Sequence, residues 1–77
     1  MKLRALLVDV LLIDENQYQD DHGPDQIPSW DSLGMVEIAA AVEQQFGHAM
    51  EPERMVALRS IRDIKAFLQE RGVPFSG

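Results

Sequence analysis

Hydrophobic positions near the start of the chain fall at Leu3, Leu6, Leu7, Val10 and Leu11. That spacing places every one of them on a single face of a helix, so the first element reads as an amphipathic helix lying within Met1 to Ile13. The pattern then breaks. The stretch from Asp14 to Asp25 is polar, and Gly23-Pro24 stops any helix before Ile27, Pro28 and Trp30 restore apolar character. A connection from Asp14 to Trp30 is long for a compact domain, and such loops are usually functional or packed on themselves. Ile27 and Trp30 are expected to pin it to the core, with Trp30 burying the most area.

A second helix is predicted from Ser32 to Phe46, ended by Gly47. Met35, Ile38, Ala39, Val42 and Phe46 form its core stripe, while Leu33, Val36, Glu37, Ala40 and Gln44 repeat on a different face. A surface helix needs only one apolar stripe. The second set, part apolar and part acidic, is therefore read as a face that meets a partner, although single exposed Leu or Val residues are common and carry no such meaning. Ala39, Ala40 and Ala41 leave room inside or beside this helix. His48-Ala49-Met50 reads as an extended link. Glu51-Pro52-Glu53 then opens a short helix, about Glu53 to Ala57, with Pro tolerated in the first turn and acids favoured at the positive dipole end. Ser60 followed by Asp63 makes a capping-box-like start for the last helix, in which Ile61, Ile64, Phe67, Leu68 and Arg71 follow at helical spacing. Gly72 and Pro74 stop it. The expectation is an all-α fold: a small antiparallel four-helix bundle of three longer helices plus one short helix, with a long first loop. It is one domain over residues 1–77, with its core in 2–72 and a frayed tail at 73–77.

Composition removes several function classes. A chain of 77 residues buries a small core and is too short to build a conventional water-excluding enzyme pocket. The absence of cysteine excludes disulfides, thiolate metal sites and Cys nucleophiles. His22 and His48 are too few for a zinc site without carboxylate help. Asp14 and Asn16 fit the start of a calcium-binding EF-hand loop, but Tyr18 and Gln19 do not, so that route is rejected and no metal is expected. Seven Lys and Arg against thirteen Asp and Glu give a net charge of −6, which argues against nucleic acid as a partner. The basic residues are Lys2, Arg4, Arg54, Arg59, Arg62, Lys65 and Arg71, so the segment from Ala5 to Glu53 is purely anionic. Such a segment draws basic partner surfaces, less so as salt rises. An acidic surface that merely keeps a small protein soluble accounts for it equally well. The apolar run at the start is interrupted by Asp9, lacks a small-residue cleavage site and is too short to span a membrane. A cytoplasmic monomer without membrane association is the expectation.

The chemistry centres on Trp30-Asp31-Ser32-Leu33-Gly34. Asp and Ser are both good N-cap residues. If Asp31 caps, the Ser32 hydroxyl is released to solvent above the positive end of a helix dipole, where a phosphate is favoured by about 0.3–1 kcal/mol. The plain alternative is an ordinary cap beside an inert serine. Ser32 is not read as a catalytic nucleophile: there is no Gly-x-Ser-x-Gly elbow, His22 lies in the flexible loop and His48 lies about 22 Å away along the helix. Both histidines are read as solvated. Gly-rich phosphate loops are also absent.

The run Trp30-Asp31-Ser32-Leu33-Gly34-Met35-Val36-Glu37-Ile38, followed by Glu43-Gln44-Gln45-Phe46-Gly47, resembles the acyl carrier protein family. Pro52-Glu53-Arg54-Met55 and Ser60-Ile61-Arg62-Asp63-Ile64 match the third and fourth helices of that family, so the resemblance covers nearly the whole chain. It implies that Ser32 is an attachment point and not a catalyst. A phosphopantetheinyl transferase would move 4′-phosphopantetheine from coenzyme A onto the serine oxygen, and the thiol of that arm would hold an acyl group as a thioester. The missing cysteine fits, because the reactive sulfur would come from the cofactor. Under the resemblance Asp31 helps form the transferase site, and Leu33, Val36, Glu37 and Ala40 form the recognition face. Glu43, Glu51 and Glu53 add acidic contacts. The implied partners are the transferase, an acyl-loading ligase or acyltransferase, and downstream acyl-processing enzymes with basic surfaces. Gly34 stands where fatty-acid carriers usually place an acid, and Gln44 and Gln45 replace acids often found there. Those departures point to a specialised pathway, such as secondary-metabolite, polyketide or surface-polymer assembly. D-alanine carriers share Asp-Ser-x-Gly, so an aminoacyl or D-alanyl cargo stays open, as does an unmodified acidic helical module for protein interaction.

Overall fold

Helix α1 (Leu3–Leu11) leads through a 3-10 turn at Glu15–Gln17 to α2 (Ser32–Phe46), α3 (Pro52–Ala57) and α4 (Ile61–Glu70). The computed structural model describes residues 3–75, and among these there is no strand, so the architecture is a small helical bundle. Met1, Lys2, Ser76 and Gly77, which include the expected start of the core and end of the tail, lie outside the described residues. Helical periodicity in the sequence sets the core. Leu3, Leu6, Leu7 and Leu11 of α1 are buried against Ile38, Ala39 and Val42 of α2 and Ile61, Ile64, Phe67 and Leu68 of α4. Met35 and Phe46, at the two ends of the α2 stripe, pack half-buried. The loop delivers Ile27 and Trp30 to the same core, at 0% and 1% exposure. Gly47 closes α2 in the left-handed conformation, its N–H donating to the Glu43 carbonyl at 2.9 Å.

The long loop is built rather than loose. Gln17 Oε1 accepts the Asp14 N–H at 3.0 Å. Tyr18 is buried, with the Arg4 guanidinium and the Lys65 ammonium each 5.6 Å from its ring centre. Lys65 also pairs with Asp20 at 2.7 Å. His22, expected to be solvated, is half-buried with Nδ1 2.8 Å from the Gln17 carbonyl oxygen, which requires the proton on Nδ1. His48 is half-buried as well.

The loop also caps α4. Ile61 N–H donates to the His22 carbonyl and Arg62 N–H to the Asp20 carbonyl, both at 2.9 Å. These are first-turn N–H groups that need an acceptor from outside the helix. The capping box expected at Ser60 is therefore replaced: the Ser60 side chain makes no cap bond, and Asp63 Oδ2 accepts instead from the Arg59 N–H at 2.8 Å. Val73 N–H donates to the Leu68 carbonyl at 3.0 Å, and Val73 and Phe75 pack half-buried against the core.

Around Phe67, two ion pairs fasten the α3 end of the bundle to α4. Arg54 donates to both oxygens of Glu70 at 3.0 and 2.6 Å, and Arg71 donates to Glu51 at 2.9 Å. Both guanidinium groups lie over the Phe67 ring, at 5.3 and 4.9 Å from its centre. The Arg71 hydrogen bond lowers the Glu51 carboxyl below its usual range, and Arg54 does the same for Glu70. A lowered folded-state value contributes stability above the ordinary carboxylate range, and that contribution is lost as pH falls through the lowered value. Glu70→Gln is therefore expected to lower the urea midpoint at about pH 6, with the difference from the parent shrinking towards about pH 3. A difference independent of pH would show that charge is not what joins Arg54 to Glu70.

Candidate functional site

Asp31 is extended and supplies the cap of α2. Its Oδ1 accepts the Gly34 N–H at 2.9 Å, and its carbonyl accepts the Met35 N–H at 2.8 Å. Because Asp31 takes this role, Ser32 becomes the first helical residue and is exposed; among the described residues its hydroxyl makes no hydrogen bond. It therefore receives no contact from a histidine or carboxylate that would activate it as a nucleophile. What the position offers is an accessible hydroxyl at the positive end of a 15-residue helix. A phosphate ester there is favoured by the dipole and by the unpaired N–H groups of the first turn.

Three fastenings hold this hydroxyl in place. The buried Trp30 ring wedges the residues before Asp31 into the core. The Ser29 hydroxyl donates to the Leu11 carbonyl at 2.6 Å, tying the start of α2 to the end of α1. The Ser29 carbonyl oxygen then occupies the space that a Cβ at position 34 would need, so only glycine fits there. Ser29 carries no signal in the sequence, because its partner lies 18 residues away. The Trp30 indole N–H is buried with no acceptor among the described residues. Leaving such a donor unsatisfied costs about 1–3 kcal/mol.

The residues expected to form a partner face are brought together on α2. Leu33 is 66% exposed and Val36 55%, and helical spacing aligns them with the exposed Glu37, Ala40, Glu43 and Gln44. On α3, which packs beside α2, Val56 is also exposed, a residue the sequence reading did not single out. Glu53 is exposed in the first turn of α3. Glu51 is different: the Arg71 guanidinium holds it, so it is not a free contact as expected. Of the three alanines, Ala39 is buried, Ala40 exposed and Ala41 half-buried at a groove against α1. Among the described residues, no group of three or more His, Asp or Glu is placed to hold a metal ion, and no helix is long and apolar enough to cross a membrane.

Residues 30–68, slightly more than half the chain, match the family described as a phosphopantetheine attachment site. The chain is also 27% identical over 70 residues to an acyl carrier protein of Petrotoga mobilis, an alignment covering 91% of this chain and 82% of that protein.

Proposed function

The chain belongs to the acyl carrier protein family, whose shared domain is the site of covalent 4′-phosphopantetheine attachment, and from that premise we propose that Ser32 is the residue that carries the arm. Members of this family are carriers and not enzymes, and this chain is a carrier. The observation supporting Ser32 is its exposed hydroxyl on the first residue of α2, left without a hydrogen bond because Asp31 does the capping. Asp31 fixes the first turn, the helix end favours the phosphate ester, and Trp30 and Ser29 keep the turn from shifting. When bound, the arm supplies the thiol that holds an acyl group as a thioester.

Leu33, Val36, Glu37, Ala40 and Glu43, with Glu53 from α3, form the face on which partners dock. These partners are the transferase that adds the arm, the ligase or acyltransferase that loads it, and the downstream enzymes that read it. An exposed Leu and Val bordered by carboxylates suits an apolar pocket rimmed by Lys or Arg. Gly34 favours a specialised pathway over housekeeping fatty-acid synthesis, because the Ser29 carbonyl leaves no room for the acid that fatty-acid carriers usually place there. The test is incubation with coenzyme A and a broad-specificity phosphopantetheinyl transferase. The parent chain is expected to gain one arm by intact mass and Ser32→Ala none. Loading of Ser32→Ala would sink the assignment.

A further inference from the structure

The fold leaves one buried polar atom unused. Trp30 is 1% exposed, and its indole N–H meets no acceptor; among the described residues no other buried side-chain nitrogen or oxygen is in that position. Packing alone does not account for it. A phenylalanine would fill an apolar site with no donor to satisfy, so the N–H leaves the isolated chain less stable than it need be. The residue is also fixed on both sides. Its main-chain N–H donates to the Ile27 carbonyl at 3.0 Å, the preceding Ser29 is tied to Leu11, and the following Asp31 caps α2.

A trapped water is a poor answer to the missing acceptor. Buried waters are held by about two to four polar partners. Among the described residues no polar or charged side chain is buried, so the core offers a water little besides the indole itself. The acceptor is one that arrives with a ligand. It has to be neutral, because a carboxylate or phosphate oxygen brought into this core would lose far more in hydration than one N–H returns. Ser32 stands two residues further on, its Cα at most about 7 Å from that of Trp30.

We propose that the Trp30 indole N–H is the donor for a carbonyl oxygen of the arm on Ser32, an inference that rests on the Ser32 reading above. Phosphopantetheine carries two amide carbonyls, and an acyl thioester adds a third. All are neutral and strong acceptors. The phosphate stays outside at the first turn of α2, where the Ser32 and Leu33 N–H groups take no acceptor among the described residues. The nearer amide lies close to a dimethyl-substituted carbon, an apolar group that enters beside a buried ring without losing hydration. Trp30 then holds the resting arm against the chain, and the cost of its unpaired donor falls only on the unloaded protein.

The test uses the full chain, nitrogen-labelled, in three forms: without the arm, with the arm, and with the arm acetylated. Trp30 is the only tryptophan, so its indole N–H gives a single proton–nitrogen resonance. The indole proton is expected to move downfield on addition of the arm, or only on acetylation if the thioester oxygen is the acceptor. Thermal midpoints are read on the parent and Trp30→Phe before and after loading. The rise on loading is expected to be about 4–8 °C larger for the parent, since the phosphate at the helix end acts equally in both. If Trp30→Phe does not fold, the parent's resonance decides alone. An indole proton at one position in all three forms overturns the Trp30 contact, and one already downfield before loading places a water there. Equal rises for the parent and Trp30→Phe overturn it as well. A parent that takes no arm at all overturns the Ser32 reading and this inference with it.

Discussion

Gly23→Ala is expected to remove about 3 kcal/mol or more of stability, a large share of the roughly 4–12 kcal/mol typical of a domain this size. Gly23 is buried, and a Cβ there would overlap the Arg59 carbonyl oxygen and crowd the Ser60 Cα. Both obstacles are main chain, so no rotamer change relieves them. The loop would have to back away from α4, and the His22 and Asp20 carbonyls would leave the N–H groups of Ile61 and Arg62. Each abandoned donor adds about 1 kcal/mol or more if it stays out of water. Urea denaturation followed by circular dichroism reads this directly, and the midpoint is expected to fall by a third or more. A midpoint near that of the parent would mean that the loop does not press on α4 as described.

Gly34→Asp, which restores the acid that fatty-acid carriers usually have, is the second large effect. The Ser29 carbonyl oxygen fills the space a Cβ needs, and the Ser29 hydroxyl is fastened to the Leu11 carbonyl, so the segment cannot simply swing aside. A loss of about 2–3 kcal/mol is expected from overpacking. The same displacement moves the first turn of α2, where Asp31 accepts from the Gly34 N–H. Loading of Ser32 is therefore expected to slow about ten-fold or more, even at temperatures where the variant is folded. Adding Ser29→Ala should not rescue it, because the obstacle is the main-chain oxygen. Full rescue by Ser29→Ala would place the obstruction in the hydroxyl and contradict this geometry.

How far the sequence could be read follows from how far each contact reaches along it. The four helices and most of the core lie in local spacing: Leu3, Leu6, Leu7 and Leu11 on α1, or Ile61, Ile64, Phe67 and Leu68 on α4. The Asp31 cap and the Gly47 stop are local too, since each acts within one turn. Apart from its anchors Ile27 and Trp30, the loop is opaque for the opposite reason. Ser29 bonds to Leu11, His22 and Asp20 cap α4, and Gly23 abuts Arg59, all across stretches in which no periodic pattern operates. Glu51 looked like a free recognition acid because its partner, Arg71, lies 20 residues further on. Leu12 belongs to neither group. It breaks the local rule for a left-handed residue, and no sequence pattern announces that.

On this reading the arm sits on Ser32 and nowhere else. The chain offers four serines, at positions 29, 32, 60 and 76, and no threonine. Fragment-ion mass spectrometry of the chain loaded with coenzyme A and a transferase would locate the added group residue by residue. One phosphopantetheine is expected, wholly on the fragment containing Ser32 and absent from those carrying Ser29, Ser60 or Ser76. The group on another serine, or a folded chain that several transferases leave unmodified, would contradict it.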